Sequence, residues 1–163
     1  VSDVKLRAYH DVDTKAVAAF LLSADQLQFT AMPGDSLALC QEDDSRHPMV
    51  ICTEDKPVGF FVLHDGPGIA PFSENPNAVL LRGLLVDQRH QGKGYAYRAM
   101  TLVPDWVSRN FPGADEIVLA VNKGNLLAQR LYLKCGFEDR GNRRMGQKGE
   151  QLLLHFKLDE RQE

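Results

Sequence analysis

The chain has only three cysteines in its 163 residues, Cys40, Cys52 and Cys135, and no C-x-x-C pair among them. An odd, scattered set suits a reducing cytoplasm with inert, buried thiols better than a disulfide framework. No metal centre is expected. No apolar run approaches the roughly 20 residues that cross a bilayer, and the first residues are mixed polar without the apolar core of a leader. A membrane protein is not indicated, and the expected location is cytoplasmic. Basic blocks are missing too: Arg143-Arg144 is only a pair, and the net charge is −3. A protein that tracks nucleic acid carries a basic stripe, so no nucleic-acid partner is expected. Mild acidity favours a cationic substrate over a polyanion. With 44% hydrophobic and 25% charged residues, the composition is that of a globular protein rather than a disordered one. We read residues 1–163 as one domain.

Two well-known phosphate loops are also absent. G-x-x-x-x-G-K-[ST] does not occur, and Tyr97 stands where a third glycine would complete G-x-G-x-x-G. What is present is Arg89-His90-Gln91-Gly92-Lys93-Gly94, after a nearly continuous apolar run over 78–86 and before a helical pattern over 95–110. Glycines let a backbone turn tightly and approach a ligand. The free N–H groups of a first helical turn then point at an anion. Arg89 and Lys93 add positive charge at the same place.

The remaining pattern predicts a strand over 4–8 and a helix over 14–22 capped by Asp11 or Asp13. A weaker helix follows over 24–29, a break at 32–35 and a helix over 36–41. Strands over 49–53 and 58–64 form a hairpin. Residues 65–77 carry Gly66, Pro67, Gly68, Pro71 and Pro76 and form a long loop. Pro104 is expected to kink or divide the helix over 95–110. A strand over 116–121, a helix over 125–134, and a strand pair over 137–144 and 152–158 complete the chain. Residues 159–163 read as a frayed, charged tail. The order is mixed α/β around one central sheet.

A second informative stretch is Asn122-Lys123-Gly124-Asn125, followed by Ala128, Leu131-Tyr132 and Gly136-Phe137. Asn125 is a good helix N-cap by type. Tyr132 lies two turns later, on the same helix face. Taken alone, such a tyrosine is more often a core aromatic, and His64 and His90 are more often structural than catalytic.

Arg89-x-x-Gly92-x-Gly94 after a strand, with Asn122-x-x-Asn125 and Tyr132-x-x-x-Gly136-Phe137, resembles the GNAT superfamily of N-acetyltransferases over the whole chain. The resemblance implies one α/β domain with a central mixed, mostly antiparallel sheet flanked by helices. It implies acetyl-CoA as co-substrate. The backbone of Leu84, Leu85 and Val86 would pair with pantetheine amides like an added strand. Backbone N–H groups of Gln91, Gly92, Lys93, Gly94, Tyr95 and Ala96 would hold the pyrophosphate. Asn125 would line the cofactor slot, and Tyr132 would be the general acid, or a hydrogen-bond donor, for the thiolate. The run 81–95 is similar to bacterial spermine/spermidine acetyltransferases. A small primary amine, a polyamine first, is therefore the expected acceptor. Acetylation of a protein N-terminus or lysine, and a non-catalytic CoA sensor, are the rivals. The family implies that a homodimer is common. Many members place a glutamate on the central strand, where this chain has Arg82, so Glu74, Asp87 and a water wire all stand as routes for the amine proton. Gln88 and Ala96 depart from the proline and glycine frequent at those positions.

Overall fold

The computed structural model describes residues 3–158. Seven strands, β1 (Val4–Ala8), β2 (Arg46–Thr53), β3 (Lys56–His64), β4 (Ala78–Val86), β5 (Glu116–Asn122), β6 (Glu138–Gly146) and β7 (Gly149–Lys157), form one sheet. Their order is β1-β2-β3-β4-β5-β7-β6. Every neighbouring pair is antiparallel except β4 and β5, which run parallel. The expected mixed, mostly antiparallel α/β sheet is therefore the fold. The tail expected over 159–163 lies outside the described residues.

Alternation along the strands sends side chains to opposite faces of the sheet. On one face Met49 and Ile51 of β2 join Val79 and Leu81 of β4. They pack under Ala99, Met100, Val103 and Val107 of α4 (Tyr95–Asn110), a stripe at helical spacing. α5 (Leu126–Lys134) adds Tyr132 to this core. On the other face Val50, Cys52, Phe60, Val62 and Leu85 meet Val17 and Phe20. Val17 belongs to α1 (Thr14–Ala18), and Leu37 and Cys40 of α3 (Pro33–Glu42) pack at the edge. β4, central and covered on both faces, accordingly reads as a near-continuous apolar run.

Several boundaries differ from the sequence reading, among them those of α1, α3 and β2. α1 ends at Ala18, short of the expected Leu22, because the Leu21 N–H is taken by the Asp87 carboxylate at 3.0 Å and the Leu21 carbonyl by the N–H of Gln88. Asp13 precedes α1 but makes no side-chain cap. Its carboxylate grips Arg7 at 2.6 and 2.7 Å instead. α3 starts at Pro33, so the expected break is a helix start, where proline is tolerated as the first residue. β2 begins at Arg46, which pairs with His64. α2 (Ala24–Phe29) matches its expected range, with Ser23 accepting from the Gln26 N–H as its cap. α4 runs undivided through Pro104.

Candidate active site

The parallel pair β4–β5 is joined only from Ala78↔Glu116 to Leu81↔Leu119. From Arg82 onward the β5-facing side of β4 has no strand partner. β4 also carries a bulge there. Phe60 pairs with Leu85 and Val62 with Arg82, so Phe61 alone stands opposite Gly83 and Leu84. Gly83 sits at φ +68°, which glycine adopts without strain. A cavity of about 690 Å³ opens at this divergence, lined by residues 80–84 of β4, 119–122 of β5, and Asn125, Ala128 and Tyr132. Phe29, Thr30, Ala31, Ser36 and Leu39 form its opposite wall.

The glycine turn follows β4 after a single 3-10 turn at Gln88–His90. Gly94 (φ +78°, ψ 14°) is the N-cap of α4, and Gly92 also sits at φ +78°. A Cβ at either position would meet no atom within 4 Å. The glycines answer the backbone sign, then, and the space above them is open to a ligand. The first-turn amides of α4, starting with Tyr95 and Ala96, have no intrahelical acceptors and face this turn. Gln91, Gly92, Lys93 and Gly94 are exposed, and Tyr95 and Ala96 half-buried.

Arg89 does not add free charge at this turn. It clasps the buried Asp87 carboxylate (Nη2–Oδ2 2.8 Å, Nε–Oδ2 3.0 Å) and donates to the Ala19 carbonyl at 3.1 Å. Burial opposes ionisation of Asp87, but Arg89 and the N–H groups of Leu21 and Arg89 together hold its carboxyl below the ordinary range. Such a carboxylate is a clamp and a poor base. It does not line the cavity, and neither does the exposed Glu74. His90 lies 3.9 Å from Asp87 and stays with the loop. Among the described residues, no Asp or Glu lines the cavity at all.

The other expected residues divide. Leu84, Asn125 and Tyr132 come together on the cavity wall. Asn125 caps α5, its Oδ1 accepting from the Ala128 N–H at 3.3 Å. Tyr132 is 8% exposed and packs edge-on to Phe137 at 6.1 Å. Burial, and then the nearby Cys135, push its phenol well above its ordinary value, so it keeps its proton at any physiological pH. Leu85 turns into the core of the opposite face. The Val86 carbonyl is already bound by the side-chain amides of Gln26 (2.8 Å) and Gln91 (3.2 Å). That carbonyl is thus engaged within the protein, and the unpaired stretch of β4 available to a ligand centres on Arg82 to Leu84. The expectation of uniformly buried thiols also needs correction: Cys52 is buried, but Cys40 and Cys135 are only half-buried. Burial raises all three thiols, which keeps them poor nucleophiles.

Sequence reasoning missed part of the wall. Arg46, Phe72 and Arg144 line the cavity with Arg82, from β2, the 65–77 loop, β6 and β4. A charged residue within an apolar strand was the available signal for Arg82; the others had none.

The family model described as "Acetyltransferase (GNAT) family" matches residues 15–137. The chain is 45% identical to the Uncharacterized N-acetyltransferase YbbJ of Bacillus subtilis over 157 residues, covering 96% of this chain and 98% of that protein. It is 25% identical to the Spermine/spermidine N(1)-acetyltransferase of the same organism over 159 residues, covering 93% and 97%. Among solved structures, the aminoglycoside acetyltransferase AAC(6')-Ib in complex with paromomycin and acetyl-CoA superposes with a TM-score of 0.77 at 18% identity, covering 94% and 93% of the two chains. The spermidine N-acetyltransferase of Vibrio cholerae, in complex with CoA and spermine, does so with a TM-score of 0.64 at 18% identity, covering 95% of each chain. The chain belongs to the GNAT acetyltransferase family.

Proposed function

We propose that this GNAT acetyltransferase moves the acetyl group of acetyl-CoA to a primary amine of a small molecule, acting as one domain in the cytoplasm. The observation that carries the reading is the cavity at the β4–β5 divergence, with the open glycine turn at one end of the strand and Tyr132 on the wall. The residues present fit the co-substrate: β4 offers an unpaired edge, and the turn offers amides at a helix N-terminus with nothing above Gly92 and Gly94.

Acetyl-CoA, when bound, supplies an activated thioester. The chain's own residues do the rest. The β4 edge from Arg82 through Leu84 aligns the pantetheine arm, and residues 91–96 hold the pyrophosphate. Asn125 lines the slot and fixes the start of α5, which sets Tyr132. Transfer joins the amine nitrogen to the acetyl carbon and breaks the carbon–sulfur bond. Nitrogen loses a proton and sulfur gains one. Tyr132, kept protonated by burial, donates its O–H to the sulfur. The amine must arrive neutral, and the cationic wall helps, because nearby like charges disfavour an ammonium ion. With no carboxylate on the wall among the described residues, its proton leaves through water.

The spermine/spermidine relative supports a polyamine as the acceptor. A free-thiol assay with acetyl-CoA and a panel of polyamines, aminoglycosides, amino acids and peptides tests the reading. We expect release of CoA that depends on a small amine. Release with peptides alone would mark a protein acetyltransferase, and tight acetyl-CoA binding without amine-dependent release would mark a sensor.

A further inference from the structure

Arg82 interrupts the apolar run of β4, and its half-buried guanidinium has no carboxylate partner among the described residues. Burying a guanidinium is costly, and proteins ordinarily offset that with an acid. Here Arg82 has only the His64 ring nitrogen Nδ1 at 3.3 Å and the face of Phe72 at 5.4 Å. Arg144, on β6, stacks over the same Phe72 ring at 4.2 Å and donates to the Gln151 side chain at 2.7 Å. Arg46, on β2, completes the group; its one acidic neighbour is Asp43 at 3.5 Å, which is outside the cavity lining. The wall thus carries Arg46, Arg82, Arg144 and Lys148 against no carboxylate among the described residues. Burial, followed by the charges of Arg46 and Arg144, pushes the Arg82 guanidinium down from its ordinary value. It remains a cation, crowded by its own kind. Such a cluster is stabilised when an anion arrives.

We propose that the acceptor carries a carboxylate or phosphate group beside its amine, and that Arg82 and Arg144, braced on Phe72 and joined by Arg46, bind that anion. The proposal rests on the acetyltransferase reading and sets an anionic amine in place of the polyamine as the acceptor. Guanidinium groups are planar forks that meet carboxylate or phosphate oxygens in pairs. The aromatic ring holds both forks at the cavity, and each spends Nη1 on a protein partner, His64 or Gln151, while its Nη2 group remains for the ligand. A polyamine, cationic throughout, would meet repulsion on this wall. The pyrophosphate of the co-substrate has a separate cradle, in the glycine turn beyond the end of β4.

Matched acceptors test the idea: 4-aminobutyrate against 4-aminobutyramide, glycine against glycinamide, and 2-aminoethyl phosphate against ethanolamine, with spermidine alongside. The anionic member of at least one pair should be favoured in kcat/KM by about 10- to 100-fold, the range of charge-assisted hydrogen bonds. Arg82→Gln and Arg144→Gln should each erase most of that preference through KM, and Arg144→Lys should keep part of it. Preference for amides or spermidine, or an anion preference unchanged in both Gln variants, would overturn the proposal. So would an equal loss of CoA affinity in both variants, which would assign the arginines to the cofactor. Calorimetry of 4-aminobutyrate and 2-aminoethyl phosphate against the protein–CoA complex separates this from failure of acetyl transfer itself. Anion binding that vanishes in the Gln variants, without turnover of any amine, breaks only the transfer reading. Turnover of neutral amines with no anion binding breaks only this proposal, and neither binding nor turnover overturns both.

Discussion

The two ends of the candidate site, the glycine turn and the cavity wall, are built from different materials. At the end of β4, the glycine turn works through backbone: Gly92 and Gly94 at positive φ, and the first amides of α4. Arg89, beside it, is consumed in holding Asp87 and Ala19. At the divergence of β4 and β5, the opposite holds. There the wall works through side chains, with guanidinium groups from β4 and β6 gathered at one phenylalanine from a loop and a third, from β2, lining the same cavity. A site made of backbone suits a ligand common to a whole family, since amides ask little of the sequence. A site made of side chains can change from one relative to the next while the fold stays the same.

If this contrast is sound, damage at the two ends should be separable. The largest effect is expected for Tyr132→Phe, between the two ends. Removing only the hydroxyl should lower kcat about 10- to 1000-fold, with acetyl-CoA affinity nearly unchanged. Steady-state kinetics with a check that chemistry limits the rate decides it, and full turnover would leave Tyr132 as a packing residue. Gly94→Glu comes next. It places a side chain at φ +78° and a negative charge at a helix N-terminus. About 1–2 kcal/mol of left-handed strain and a similar repulsion together weaken acetyl-CoA binding on the order of 100-fold. Calorimetry on the folded variant reads this directly, and unchanged affinity would remove the turn from the cofactor site.

A smaller effect is expected from the clamp beneath the turn. Asp87→Ala strips acceptors from the Leu21 N–H and from Arg89. Leaving these groups unpaired should cost about 1–3 kcal/mol, seen as a fall in Tm by thermal unfolding. The pH dependence has a definite sign. Asp13 and Asp87 have carboxyls held below the ordinary 3.8, so their contribution is present above that pH and is lost as pH falls through their folded values. His64 is also held down, by burial and then by Arg46 and Arg82, so stability begins to fall as pH drops below about 6.5. Tm should therefore decline from pH 7 toward pH 5, and again below pH 4. His64→Gln should flatten the first limb and Asp87→Asn the second.

The same contrast explains what could be read from the residues alone. β4 and α4 fell within their expected ranges because a doubly covered strand, a glycine pair and an apolar helical stripe are all local signals. The glycine turn was legible for the same reason, as were Asn125 and Tyr132, two turns apart on one helix. The end of α1 was not, because a carboxylate 66 positions away captures the Leu21 N–H. The arginine wall was not legible either. Arg46 and Arg144 come to line one cavity only after β2 and β6 take their places on either side of the central strands. No spacing within the chain announces that meeting.

The most direct test of the account is a paired titration of acetyl-CoA into Gly94→Glu and Arg82→Gln, each beside the unaltered protein. Binding should be about 100-fold weaker for the first and change within about threefold for the second, because backbone at one end and side chains at the other hold different molecules. Loss of acetyl-CoA in Arg82→Gln with full binding in Gly94→Glu would contradict the account.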